Sequence, residues 1–171
     1  MDLRPFIRDV PDFPKPGIVF KDITPLLRSH AALDYVSHSL AEPFMDSGIT
    51  SVVAIESRGF IFGSGVARVL GAGFVPIRKP GKLPAKTRRS EYTLEYGSGI
   101  LEIHDDALFA DDRVLIIDDV LATGGTAACA VTLVQESGAT VVAAAFVIEL
   151  AFLNGRARLG GVPVHSLIAY E

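Results

Sequence analysis

Apolar positions along the chain follow two alternating patterns. Over 31–45, Leu33, Val36, Leu40 and Phe44 fall near one face of a 3.6-residue period, which predicts a helix that Gly48 stops. An unbroken apolar run at 51–55 then predicts a buried strand, 60–70 a glycine-containing helix, and 74–78 a second strand. After a polar, basic interval, 113–117 reads as a fully buried strand, 126–137 as a helix ended by Gly138, 140–148 as another strand and 165–169 as the last. Strands buried on both faces and alternating with helices predict an α/β fold: a doubly wound, mainly parallel sheet. Ligands of such sheets bind beyond the carboxyl ends of the strands, here the turns after Ile55, Arg78, Ile117 and Ile148.

Two segments stand outside the alternation. The Pro-rich arm DVPDFPKPGIVFKDITP and the piece after β-like 140–148 are expected to form a small cap, from about 1–27 and 150–163, on one domain spanning 1–171. Turn residues at both ends and alternation in YTLEY make 81–99 a long hairpin-like flap, and loops of that length in compact domains usually carry function.

Composition narrows the class. The chain has 171 residues, 49% of them apolar, and a net charge of −4, which excludes a disordered, collagen-like or disulfide-scaffold chain. Cys129 is the single cysteine, so no intrachain disulfide forms, and the charged N-terminus leaves no apolar core for a secretory signal; a cytoplasmic location is expected. The longest apolar run, 141–148, is far short of the roughly 20 residues a membrane-spanning helix needs. His30, His38, His104 and His165 show no ligand spacing, so no zinc site is expected.

The charge is unevenly placed. Between Ser57 and Ser90 there are eight basic residues and no acid, against eight basic and 20 acidic residues elsewhere. A nucleic-acid patch is disfavoured there, because RKPGKLPAKTRR lacks interleaved aromatics and the remaining chain is acidic.

The most informative stretch is VLIIDDVLATGGT, 114–126, in which an apolar strand ends in two carboxylates and a glycine turn opens a helix. Ala122, Thr123, Gly124, Gly125 and Thr126 can form an anion cradle from converging backbone N–H groups, two hydroxyls and a helix N-terminus. The turn is neither a Walker A loop nor a dinucleotide fingerprint. Asp118 and Asp119 would repel a phosphate held against them, so they suit sugar hydroxyls or a hydrated magnesium ion. Phosphate at one end and diol at the other describes a ribose 5-phosphate. The plainer alternative is a strand end followed by an ordinary helix cap.

This stretch closely resembles the phosphoribosyl pyrophosphate motif of type I phosphoribosyltransferases. FPKPGIVFKDITPLL, ESRGFIFG, PIRKPGKLP and YTLEYG are, in order and spacing, similar to the adenine phosphoribosyltransferase family, and the resemblance spans essentially the whole chain. It implies transfer of ribose 5-phosphate from phosphoribosyl pyrophosphate to adenine, giving AMP and pyrophosphate with Mg2+ as cofactor, in a homodimer that pairs near Phe60. It further implies that Ser57 and Arg58 form a pyrophosphate loop, often containing a cis peptide bond, and that Arg78 and Lys82 contact the pyrophosphate. Val19, Phe20 and Lys21 match the adenine-binding segment, where the family commonly has arginine in place of Lys21. Lysine lacks the planar fork and its stacking. Glu95 and Arg58 are implied as catalytic, Glu95 as the proton carrier on the flap. The alternatives are a regulator that senses phosphoribosyl pyrophosphate without catalysis, for which the chain has no spare DNA-binding segment, and an enzyme for another nucleobase.

Overall fold

The computed structural model describes residues 1–93 and 98–171. Its main sheet has five parallel strands: β3 (Ser51–Ile55), β4 (Gly73–Ile77), β7 (Arg113–Leu121), β8 (Thr140–Leu150) and β9 (Val164–Tyr170), in the order β4-β3-β7-β8-β9. The three inner strands β3, β7 and β8 are covered on both faces, which is why they read as continuous apolar runs rather than alternating ones. Val52, Ala54, Ile117 and Val147 point to the face packed by α2 (His30–Ala41) and α3 (Arg58–Leu70). Their neighbours Val53, Ile55, Ile116 and Phe146 point to the opposite face, into one cluster with Ala130 and Val134 of α4 (Gly125–Glu136) and with Leu101 and Ile103. The expected doubly wound α/β sheet is therefore present.

Two small hairpins flank it. β1 (Arg8–Pro11) and β2 (Val19–Asp22) pair antiparallel, leading into the short α1 (Thr24–Arg28). β5 (Thr87–Thr93) and β6 (Ser98–His104) form the second hairpin, so its strands run beyond the expected 81–99 span and 81–86 is a loop leading into it. Arg88 anchors the base of this hairpin: its guanidinium donates to Asp105 at 2.7 and 3.1 Å and to the Glu136 carbonyl at the end of α4. Glu95 and Tyr96 lie outside the described residues.

Element ends differ from the sequence expectation where tertiary pairing outweighs local pattern. β7 runs on to Leu121, because Asp118, Val120 and Leu121 continue the ladder opposite Phe146, Ile148 and Glu149 of β8. The carboxylate pair accordingly sits within a strand rather than in the turn beyond it. After β8, residues Ala151–Leu153 and Gly155–Leu159 make two short 3-10 turns before β9. No helix among the described residues is long and apolar enough to cross a membrane.

Candidate active site

A cavity of about 530 Å3 opens at the carboxyl ends of β3 and β7. The whole 122–126 turn lines it, with the N-terminus of α4 starting at Gly125, so backbone donors of an uncapped helix end face the opening. Gly124 adopts φ +80°, a left-handed conformation that a side chain would strain. A methyl on Gly124 would also overlap the carbonyl oxygen of Gly155, which packs directly against the turn.

Asp118 and Asp119 lie on the same cavity wall. Asp119 is 4% exposed and accepts a charge-assisted hydrogen bond from Nε of Arg58, at the start of α3. Burial pushes the Asp118 carboxyl well above the usual range, and the neighbouring Asp119 charge pushes it further; Arg58 opposes both. Asp118 packs against the start of α3: a methyl on Gly59 would stand 2.8 Å from its Oδ1 and 3.0 Å from the Ile117 carbonyl. A glycine at 59 is thus what lets the helix approach β7 closely enough for Arg58 to reach Asp119. Two adjacent carboxylates, one paired and one with a raised proton affinity, can accept hydroxyl hydrogen bonds and offer hard oxygen ligands to a cation. Among the described residues no group of three or more His, Cys, Asp or Glu is gathered to hold a metal ion by itself.

The N-terminal hairpin closes the opposite side. Val19, Phe20 and Lys21 all line the cavity. The Phe20 ring has the Arg58 guanidinium 5.5 Å from its centroid and Phe13 edge-on at 5.2 Å. Lys21 is held away from free rotation: its ammonium donates to Asp9 at 2.7 Å and sits 3.9 Å over the ring of Tyr170.

The basic stretch divides. Ser57 and Arg58 line the cavity, and the Glu56–Ser57 peptide bond is cis. Arg78 and Lys82 do not line it. Arg78 instead forms a two-point ion pair with Glu56, at 3.0 and 3.2 Å, and donates to the Lys82 carbonyl at 3.1 Å. Glu56 also accepts from the backbone N–H of Lys79 at 3.0 Å, and Lys79 does line the cavity. The Arg78 and Lys79 bonds hold the Glu56 carboxyl below the usual range against its partial burial. Sequence reasoning passed over Glu56, Lys79, Tyr92 and Gly155, all on or against the cavity wall. Glu56 was legible in principle, as an acid immediately before an acid-free stretch; Gly155 carried no local signal.

Known proteins place this arrangement. The Phosphoribosyl transferase domain family matches residues 22–158. The adenine phosphoribosyltransferase of Nitrosococcus oceani is 57% identical over 168 residues, covering 98% of each chain. The crystal structure of adenine phosphoribosyltransferase from Thermoanaerobacter pseudethanolicus superposes with a TM-score of 0.95 at 49% identity, covering 98% of each chain. That from Trypanosoma brucei, in complex with AMP, pyrophosphate and ribose-5-phosphate, superposes with a TM-score of 0.90 at 26% identity, over 98% of this chain and 77% of its own. A doubly wound sheet with an acidic strand end, a glycine turn and an aromatic arm around one cavity, matched end to end at this identity, makes the chain a member of the adenine phosphoribosyltransferase family.

Proposed function

We propose that the chain transfers a 5-phosphoribosyl group from phosphoribosyl pyrophosphate to adenine, releasing AMP and pyrophosphate in purine salvage. The observation that carries this reading is the placement of three chemically distinct walls around one cavity: an anion-binding turn, a carboxylate pair and an aromatic arm. The 122–126 turn receives the 5-phosphate through its backbone N–H groups and threonine hydroxyls. Asp118 and Asp119 accept the ribose hydroxyls, and Phe20 packs along the base while Val19 and Lys21 border its edge. The pyrophosphate lies towards the Ser57 loop, Arg58 and Lys79; Arg78 and Lys82 support that end, Arg78 through Glu56.

Reaction at the anomeric carbon leaves negative charge on the departing pyrophosphate. Arg58 meets that charge when its guanidinium turns from Asp119 towards the leaving group, a half-buried donor that lies beside Phe20. The attacking ring nitrogen of adenine gives up its proton, for which Glu95 is the assigned acceptor on the family resemblance. Asp118 and Asp119, two adjacent carboxylates on the cavity wall, would hold Mg2+ as hard oxygen ligands, and the ion would supply charge neutralisation for the pyrophosphate. A homodimer is supported by Ile61 on α3 and Phe74 on β4, 39% and 38% exposed, with the Phe74 ring edge-on to Phe60. The test is AMP formation from adenine, phosphoribosyl pyrophosphate and Mg2+. Turnover that stops on chelation and returns with Mg2+ is expected; folded protein that forms no AMP overturns the reading.

A further inference from the structure

The turn assigned to the 5-phosphate rests on a distant part of the chain. Gly155, in the segment that follows β8, runs against it with no side chain between the two backbones. A methyl built on Gly155 would overlap the carbonyl oxygen of Ala122 and stand 3.1 Å from the Gly124 nitrogen. The segment turns back towards the cradle through Asn154, at φ +50°, a left-handed conformation that asparagine tolerates better than most residues. Arg156, the next residue after Gly155, then locks the segment in place. Its Nε and Nη2 donate to the two oxygens of Glu149 at 2.5 Å each, and its Nη1 donates to the Val164 carbonyl at 3.0 Å. Glu149 is only 5% exposed and also accepts from the Ser166 hydroxyl at 2.7 Å. In the β7–β8 ladder Glu149 stands opposite Leu121, the residue just before the cradle. One carboxylate thus ties β8, β9 and the returning segment into a block at the sheet edge, directly beside the turn.

We propose that Glu149 and Arg156 are positioning residues for the 5-phosphate site, acting through Gly155, whose backbone holds the 122–126 turn in its anion-receiving conformation. The inference rests on the reading of that turn as the 5-phosphate site. Backbone N–H groups bind an anion strongly only when they already converge, so a turn left free to relax loses affinity without losing any donor. The bidentate fork matters more than the charge, because it fixes the direction in which Gly155 is presented.

The experiment compares dissociation constants for AMP and adenosine, by titration calorimetry, in wild type, Gly155→Ala, Arg156→Ala and Arg156→Lys, with thermal unfolding of each to establish folding. In Gly155→Ala and Arg156→Ala the AMP constant should rise by at least about tenfold while the adenosine constant stays within about twofold, collapsing the preference for the phosphorylated ligand. Arg156→Lys, which keeps the charge and should fold where the others do not, should show a smaller shift of the same selectivity. Equal weakening of AMP and adenosine, or an unchanged preference in every folded variant, overturns the inference and leaves the phosphate reading standing. Wild-type protein that binds AMP no more tightly than adenosine overturns the phosphate reading itself, and the inference with it.

Discussion

Replacing Asp119 by asparagine separates the stability of the carboxylate pair from its use. Asp119 is buried and accepts from Arg58, whose side chain is 47% exposed. A hydrogen bond to a charged group contributes about 1.5–3 kcal/mol, and solvent access to the guanidinium places this one near the lower end, about 1–2 kcal/mol. The loss is partly offset, because after burial the Asp119 charge is the largest cause that disfavours ionised Asp118. A net cost below about 2 kcal/mol lowers Tm by no more than about 4–8 °C in a chain of this size. Catalysis has no such offset. Loss of a charged acceptor for a ribose hydroxyl, at about 1.5–3 kcal/mol, lowers kcat/KM by roughly 10- to 150-fold. The assay is steady-state AMP formation at saturating adenine alongside calorimetric unfolding. A variant within about threefold of wild-type kcat/KM would remove Asp119 from the site; a Tm fall beyond about 10 °C would make the Arg58 pair chiefly structural.

Three further outcomes follow from the same geometry. Asp118→Asn should raise Tm at neutral pH while abolishing turnover: the native state holds the Asp118 proton more tightly than the unfolded chain, so that carboxyl costs stability as pH rises above its ordinary value, and the gain should vanish near pH 3; a variant less stable than wild type at pH 7 contradicts this. Asp22, held down to about 2 by the Thr24 hydroxyl and backbone N–H and then by Arg8, contributes stability that is present above the ordinary carboxyl value and lost as pH falls towards 2; Asp22→Asn should flatten that acid limb in pH-dependent melting, and an unaltered limb refutes it. Gly59→Ala forces α3 away from β7 against Asp118 and the Ile117 carbonyl, an overpacking cost of about 1–3 kcal/mol; denaturant titration should show it, and an unchanged midpoint would mean that the helix gives way freely.

Much of the architecture is legible in the sequence. The apolar runs of β3, β7 and β8 and the periodic face of α2 announced themselves because burial on both faces of a strand, or one face of a helix, is written into neighbouring residues. DDVLATGGT was equally readable, since an acidic strand end, two glycines and a helix start are consecutive in the chain. The basic stretch was legible only as a total. That Lys79 faces the cavity while Arg78 turns to Glu56 depends on a carboxylate 22 residues away from that arginine, and composition cannot report it.

What the sequence by itself determined is therefore the alternation of strands and helices, the chemistry of the acidic strand end and its glycine turn, and the concentration of positive charge after Ser57. Tertiary structure alone decided the strand order β4-β3-β7-β8-β9, the inclusion of Asp118 and Asp119 in β7, the Arg58–Asp119 pair and the contact of Gly155 with the cradle. The division has one physical cause. Hydrophobic period and turn chemistry act over a few consecutive residues, whereas the direction of a guanidinium or the crossing of two glycine backbones is set by which strands pair, a choice made by burial across the whole sheet.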